Sequence, residues 1–192
     1  MLGATIALAA GVRRRQGWGI VAMAAVAAAG PDWDRLPHAA APEGYASVHR
    51  VWGHNLLVAP LLSGLVGALA YLCWVSVRRR PGEEAGRARA FSFQALAVWV
   101  TVGTLMSLTH LLTDVFYCGI DKSPDWPVAL LWPFSRRGWA QPMVPWSDRT
   151  ATCILAITLI AACLRPRLAR GVAVVGLLAV VANLVIRGVL LS

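Results

Sequence analysis

Four long apolar segments dominate this chain and restrict what it can fold into. A membrane-spanning helix needs about 20 predominantly apolar residues. Only 14% of the 192 residues are charged, against about 25% in soluble domains. We therefore predict an all-α polytopic membrane helix bundle of four to six transmembrane helices, surrounded by the lipid bilayer. The segments are His54–Val77, Phe91–Phe116, Thr150–Leu164 and Gly171–Leu191, of which the third is short.

The amino-terminal region holds two shorter apolar segments, Met1–Val12 and Gly17–Ala29, separated by Arg13-Arg14-Arg15. We expect residues 1–29 to form a helical hairpin, tilted or only partly crossing, within a single membrane domain. A signal peptide is the alternative, with the arginines at its charged end and small alanines at its cleavage site. Two features oppose that reading. An apolar stretch precedes the arginines, and cleavage would fall two residues before Asp32.

The connections between the segments differ in charge. One set, which holds the arginine runs, contains 11 arginines and 2 glutamates. The other set, residues 30–53 and 117–149, contains 6 basic and 7 acidic residues if Asp114 at its edge is included. Because cytoplasmic loops are enriched in arginine and lysine, we predict that the second set is extracytoplasmic. The arginines that give the net charge of +9 are then explained by the orientation of the protein in the membrane. We therefore expect no nucleic-acid partner.

Six side chains that can bind a metal gather in three short clusters beside or inside the apolar segments. A carboxylate at the bilayer centre costs about 2.5–3.5 kcal/mol on insertion scales, so such groups usually serve a function. Imidazole together with carboxylate is a ligand set for divalent metals such as zinc. All three clusters are predicted on the extracytoplasmic face. The residues are Asp32 and Asp34, His49 and His54, and His110 and Asp114.

Two of these clusters have local geometry that suits a shared metal. His110 and Asp114 are four residues apart in a helical segment, which places their side chains on one face about 5–6 Å apart. A hydrogen-bonded pair that joins helices is the alternative. Asp32 and Asp34 flank Trp33, and two such carboxylates can bridge cations or divide the roles of ligand and base. An aspartate that opens a turn is the alternative for this motif.

The third cluster requires a break in the helix. His49 and His54 are five residues apart and would point in different directions on one continuous helix. We expect a loop to carry His49 and a helix start to carry His54, with Gly53 permitting the break. Arg50 is predicted to neutralise an anionic group such as a phosphate. An interfacial arginine that reaches toward the headgroups is the alternative.

The number of ligands favours a catalytic site over a structural one. Four ligands complete a tetrahedral zinc site, whereas a catalytic site keeps a position for water. Six ligands therefore suit one or two divalent metal ions, with zinc the expected metal. A bound metal lowers the pKa of its water to about 7 in favourable cases. The sequence contains no Gly-x-Ser-x-Gly motif, no HExxH motif and no phosphate-binding glycine loop.

Four motifs occur in an order and spacing that resemble one membrane family. The chain is similar to the YdjM-like family of membrane-bound, metal-dependent hydrolases, by motif over Pro31–Ser135 and by hydrophobic layout over most of its length. The motifs are Pro31-Asp32-Trp33-Asp34, His49-Arg50 followed by His54, His110 followed by Asp114, and Leu130-Leu131-Trp132-Pro133-Phe134-Ser135.

The resemblance implies a bacterial inner-membrane protein. It also implies that Asp32, Asp34, His49, His54, His110 and Asp114 bind the metal. Two positions depart from the family pattern. The family usually carries a Thr-His pair near its amino terminus, and Met1–Val12 contains no histidine. Asn55 also replaces the serine that commonly follows the second histidine.

These observations together predict a membrane-bound, metal-dependent hydrolase that uses a metal-activated water. The expected substrate is a small molecule or lipid, with a phosphoester or a lipid headgroup as the bond attacked. A non-enzymatic membrane protein with a structural polar cluster is the main alternative, and a metal or proton transporter is the second. The expected roles are metal binding by His49, His54, His110 and Asp114, bridging or proton acceptance by Asp32 and Asp34, and charge stabilisation by Arg50.

Overall fold

The computed structural model describes residues 1–39, 50–77, 91–117, 127–141, 143–144 and 148–191. Every regular element within these residues is helical, apart from two isolated β-bridges. The predicted all-α membrane helix bundle is confirmed. In chain order the elements are α1 (Leu2–Ala9), α2 (Arg13–Gln16), α3 (Trp18–Ala28), a 3₁₀ helix (Pro31–Ala39), α4 (Val58–Val77), α5 (Phe93–Phe116), α6 (Thr150–Leu164) and α7 (Ala169–Leu191).

Three helices are long and apolar enough to cross a bilayer: Val58–Val77, Phe93–Phe116 and Ala169–Val189. Trp18–Ala28 and Thr150–Leu164 are apolar but shorter. Many apolar side chains on the long helices are exposed, and their spacing of three to four residues places them on one helix face. This pattern is expected of a helix that faces lipid. On α4 the exposed leucines are Leu61, Leu65, Leu69 and Leu72.

Helix α4 begins at Val58, four residues later than the apolar segment predicted from His54. Asn55 accounts for the difference. Its Oδ1 accepts a hydrogen bond from the backbone N–H of Val58 (2.8 Å), as the side chain of a helix N-cap does. Its Nδ2 donates to the carbonyl oxygen of Val51 (3.1 Å). Residues 50–57 therefore form a turn before the helix, and this turn carries His54.

Helices α4 and α5 pack closely through glycines. A Cβ added at Gly67 would collide with the carbonyl oxygen of Trp99, and one added at Gly103 would collide with that of Ser63. Small residues allow helix backbones to approach closely in membranes, where interhelical hydrogen bonds add to the packing. Ser63 Oγ donates to the carbonyl oxygen of Ala27 on α3 (3.1 Å). This packing brings the carboxyl-terminal end of α5 beside the turn that precedes α4.

The described parts of the two acidic connections meet at this same end of the bundle. The backbone N–H of Ala129 donates to the carbonyl oxygen of Arg50 (3.1 Å), and that of Leu56 donates to Leu130 (2.9 Å). The motif that begins at Leu130 therefore supports the turn carrying His54. The extracytoplasmic placement of residues 30–53 and 117–149 stays a prediction. The single membrane domain and its amino-terminal hairpin also stay predictions, although α1 and α3 pack against each other.

Candidate metal centre

His54 lies at the centre of the polar cluster and is fully buried. Its Nδ1 is 2.9 Å from Oδ2 of Asp34. Its Nε2 faces two other carboxylates, with Oδ2 of Asp114 at 3.2 Å and Oδ1 of Asp32 at 3.6 Å. A histidine that donates one ring N–H to a carboxylate presents the lone pair of its other nitrogen to a metal. Asp34 thus fixes the tautomer of His54 that metal binding requires.

His110 and Asp114 approach the same point from α5. The Nε2 atom of His110 is 3.4 Å from Oδ2 of Asp114 and 3.8 Å from Oδ1 of Asp32. The two side chains are one helical turn apart, as their spacing predicted. Asp32 comes from the 3₁₀ helix that follows α3, so three separate elements supply the cluster. The structure therefore brings together Asp32, His54, His110 and Asp114.

The distances among these four side chains suit a tetrahedral metal site. Zinc lies about 2.0–2.2 Å from imidazole nitrogen or carboxylate oxygen, which separates tetrahedral ligand atoms by about 3.3–3.6 Å. Four nitrogen-to-oxygen distances within the cluster are 3.2, 3.4, 3.6 and 3.8 Å. One ligand atom each from Asp32, His54 and His110 lies within 4.8 Å of the other two.

A second observation supports the fit to a metal. The Nε2 atom of His110 is buried and has no hydrogen-bond partner among the described residues, although two carboxylate oxygens lie close to it. A buried nitrogen without a hydrogen bond carries a free-energy penalty of about 1–3 kcal/mol. A cation held between that nitrogen and the carboxylates would remove the penalty. The donor set of two imidazoles and two carboxylates is one that zinc accepts.

The electrostatics of the metal-free cluster also indicate a site for positive charge. Burial lowers the pKa of His54, but hydrogen bonds with Asp114, Asp32 and Asp34 outweigh burial and raise the pKa to about 10. Burial raises the pKa of Asp32, yet the hydrogen bond with His54 and the charge of His110 lower it overall. In the metal-free cluster, the three carboxylates therefore favour the protonated form of His54. Metal binding would displace that proton, as is usual for histidine ligands.

Arg50 supports the cluster from the side of the carboxylates. It is buried and has a positive φ of 64°. Its backbone N–H donates to Oδ2 of Asp34 (3.1 Å). Its guanidinium lies 3.3 Å from Oδ1 of Asp114 and donates to the carbonyl oxygen of Asp114 (3.3 Å) and of Tyr117 (3.5 Å). These contacts leave Oδ2 of Asp114 directed at the two histidines.

Three other residues were predicted to belong to the site: Asp34, Arg50 and His49. Oδ2 of Asp34 contacts Nδ1 of His54 and the backbone N–H of Arg50. These described contacts support His54 as a ligand and do not extend to His110. The role of Asp34 as a metal ligand stays a prediction, and so does the charge-stabilising role of Arg50. His49 lies outside the described residues. Sequence reasoning did not assign Asn55 a role, although the four hydrogen bonds of its side-chain amide shape the turn that holds His54.

A small cavity opens beside the cluster, and a longer apolar groove continues from it. The cavity has a volume of about 270 Å³ and includes Asp32, His110 and Asp114 in its walls. The groove has a volume of about 540 Å³ and runs between α1, α5, α6 and α7. The two share Leu2, Thr109, Thr113 and Asp114.

Met1 and Leu2 form part of the cavity wall. The amino terminus of the chain thus lies beside the cluster. It contributes apolar side chains there.

Because Asp34 holds His54 in position, we expect zinc affinity to fall when Asp34 is replaced, by an amount that depends on the new side chain. Asp34→Ala removes the acceptor for Nδ1–H of His54, and we expect zinc affinity to fall about 10–100-fold. Asp34→Asn keeps an oxygen acceptor and loses only the charge, so its loss should be smaller. Competition for zinc against a chromophoric chelator measures both affinities. Unchanged affinity in Asp34→Ala would contradict the support role, and equal losses of more than about 100-fold in both variants would identify Asp34 as a direct ligand.

One comparison with known proteins identifies a family. The model of the family described as YdjM inner membrane protein matches residues 1–190. Neither the curated proteins nor the solved structures gave a match. The family match covers the helical bundle and all four clustered side chains, and it confirms the resemblance inferred from the motifs. The chain belongs to the YdjM inner membrane protein family.

Proposed function

We propose that this protein is a membrane-bound, metal-dependent hydrolase that acts on a phosphoester or lipid-headgroup substrate. The observation that carries the proposal is the convergence of Asp32, His54, His110 and Asp114 where a small cavity meets an apolar groove. Zinc is the proposed metal. The excess of arginine at the other end of the bundle supports an extracytoplasmic location for the site in the inner membrane.

The proposed mechanism divides the cluster into ligands and a proton acceptor. His54, His110 and Asp114 would hold the metal, and a bound zinc ion would lower the pKa of a water molecule and polarise the substrate oxygen. Asp32 is the most exposed of the four, with 41% of its side chain accessible against 18% for His110 and 14% for Asp114. It lines the cavity, so it is placed to accept a proton from water. Asp34 keeps His54 in the required tautomer.

The groove supports a lipid as the substrate. Asp114 and Thr113 lie in the walls of both the cavity and the groove, so a polar group at the cluster could continue directly into an apolar chain. The walls of the groove are largely apolar, with Leu112, Leu155 and Val181 among them. A phospholipid has both parts, a phosphoester and attached acyl chains. This shape favours a lipid headgroup over a fully water-soluble phosphoester.

Turnover of phospholipid by purified protein tests the proposal. Zinc-loaded protein in detergent is mixed with phosphatidylglycerol, phosphatidylethanolamine or an undecaprenyl-type phosphate, and the products are identified by mass spectrometry. We expect turnover that a chelator abolishes. Asp32→Asn should lower it about 100-fold or more, because a general base contributes about 10²–10⁴-fold.

Asp148→Asn is the matched control. Asp148 lies at the same end of the bundle but pairs with Arg187 (3.0 Å), outside the cluster. We expect this variant to retain turnover within about twofold. Zinc-loaded protein that turns over none of the lipids would contradict the proposed function and favour the non-enzymatic alternative. Equal activity in wild type and Asp32→Asn would contradict the role assigned to Asp32.

A further inference from the structure

The end of the bundle opposite the metal centre is strongly basic. Helix α2 and the turn between α6 and α7 meet there, and Arg13 donates a hydrogen bond to the carbonyl oxygen of Pro166. The described residues at this end, 10–18, 74–77, 91–94 and 163–170, include no aspartate or glutamate. Six arginines are clustered without an acidic partner in those ranges. They are Arg13, Arg14, Arg15, Arg165, Arg167 and Arg170.

A large apolar groove begins among three of these arginines. It has a volume of about 980 Å³ and follows α6 and α7. Arg14, Arg167 and Arg170 lie at its basic end, and the side chains along it are almost all apolar. Both Ile157 and Val175 in its walls are 67% exposed, so the groove opens toward the surroundings of the helices.

The length of the groove matches the depth of one membrane leaflet. Its lining on α7 runs from Arg170 to Ala179. At 1.5 Å per residue, this stretch covers about 14 Å of the helix axis. One leaflet is half of a hydrocarbon core about 30 Å thick. A ligand with an anionic group at the arginines would therefore extend an apolar chain to about the middle of the bilayer.

Two of the arginines are available to an anion and the third is held in position. Arg14 and Arg167 are exposed. Arg170 donates from Nε to the carbonyl oxygen of Ala9 (3.1 Å), which fixes its guanidinium beside the end of α1. A guanidinium has further N–H donors on its two terminal nitrogens, and these suit phosphate oxygens. The charge and the groove together match an amphiphile with a negative headgroup.

We propose that this groove binds one anionic diacyl phospholipid of the bilayer. Its phosphate lies among Arg14, Arg167 and Arg170, and an acyl chain follows the groove along α6 and α7. The site is separate from the metal centre and does not depend on the proposed hydrolase activity. A basic residue near the membrane surface strengthens binding of an anionic lipid by about fivefold. Loss of two arginines should therefore weaken binding about thirtyfold.

Native mass spectrometry of the full chain in detergent, titrated with dioleoyl phosphatidylglycerol, tests the proposal. We expect a saturable lipid adduct, additional to any lipid in the groove beside the metal centre, that is bound at least about tenfold more tightly than dioleoyl phosphatidylcholine. The double variant Arg14→Ala/Arg167→Ala should bind phosphatidylglycerol about thirtyfold more weakly. The control is Arg15→Ala/Arg165→Ala, which removes two exposed arginines from the same two segments but outside the groove. It should bind within about twofold of wild type.

Three results would overturn the proposal. Equal weakening in the two double variants would show a general attraction of charge and no defined site. Phosphatidylcholine bound as tightly as phosphatidylglycerol would show that the arginines do not select the headgroup. Glycerol phosphate bound as tightly as the lipid would identify a free phosphate site and exclude the role of the groove. Thermal unfolding of each variant confirms that the bundle is intact, since all four arginine side chains are exposed.

Discussion

Replacement of His110 by alanine is expected to abolish tight zinc binding while the helix bundle stays folded. We expect zinc affinity to fall about 100-fold or more, because His110 is one of three side chains proposed to hold the metal and the loss of one ligand removes a large share of the binding free energy. The metal-free protein should lose little stability, because the contact of Nε2 of His110 with Asp114 (3.4 Å) does not have hydrogen-bond geometry, and Arg50 still pairs with that carboxylate. Its melting temperature should change by less than about 4 °C, which corresponds to about 1 kcal/mol for a chain of this size.

Thermal unfolding with and without zinc measures both effects in one experiment. A ligand at 100 times its Kd stabilises the folded state by about 2.7 kcal/mol, so zinc should raise the melting temperature of the wild type by about 5–10 °C. His110→Ala should show no such rise. Thr113→Val is the control, because Thr113 lines the same cavity without supplying a ligand to the cluster. Wild type without bound zinc, combined with a large loss of stability in His110→Ala, would identify a structural polar cluster.

The transporter alternative requires a polar path from the cluster to the other end of the bundle. Two hydroxyl groups deeper in α5 donate hydrogen bonds to backbone carbonyl oxygens. Thr104 Oγ1 donates to the carbonyl oxygen of Pro60 (3.3 Å), and Ser107 Oγ donates to that of Thr104 (2.8 Å). Below them the described core contains Tyr71 and Trp99. The described residues thus favour a site that is open at one end of the bundle.

The sequence was sufficient to predict the helices because lipid imposes a simple rule. A segment that crosses a bilayer must satisfy its own backbone hydrogen bonds and present apolar side chains, so hydrophobicity and length identify it. The start of α4 was less predictable. Residues from His54 onward are apolar enough to continue the helix, but the amide of Asn55 forms a turn and caps the helix at Val58. That competition depends on side-chain geometry, which hydrophobicity does not record.

The cluster could be predicted only in part for a related reason. The spacing of His110 and Asp114 fixes their relative position on a helix, and the structure shows that pair side by side. Asp32 and Asp34 are equivalent in the sequence, yet Asp32 is partly exposed beside the cavity and Asp34 is fully buried behind His54. The turn formed by residues 50–57 packs against these two carboxylates. It determines that Asp32 faces the cavity and that Asp34 lies behind His54. Contacts between residues distant in sequence set those roles.

Arg50 gives the largest expected change in stability. We expect Arg50→Ala to lower the free energy of unfolding by about 3–5 kcal/mol, because removal of one partner leaves buried carboxylate without its countercharge. Its guanidinium side chain is 2% exposed and lies 3.3 Å from Oδ1 of Asp114. The melting temperature should fall by about 6–20 °C. Arg149→Ala removes an exposed arginine at the same end of the bundle and should have little effect.

Two further variants separate the backbone contribution from the charge contribution at Arg50. The positive φ of 64° is costly for any residue with a Cβ, whereas glycine adopts it freely. Arg50→Gly should therefore be more stable than Arg50→Ala by about 1 kcal/mol. Arg50→Lys keeps the charge but loses the planar guanidinium that reaches both Asp114 and the carbonyl oxygen of Tyr117, so its stability should lie between wild type and Arg50→Gly. Thermal unfolding of the metal-free proteins measures the order. An Arg50→Ala protein as stable as wild type would show that the carboxylates do not need this cation, and the zinc affinity of that variant would then show whether Arg50 orients Asp114 at all.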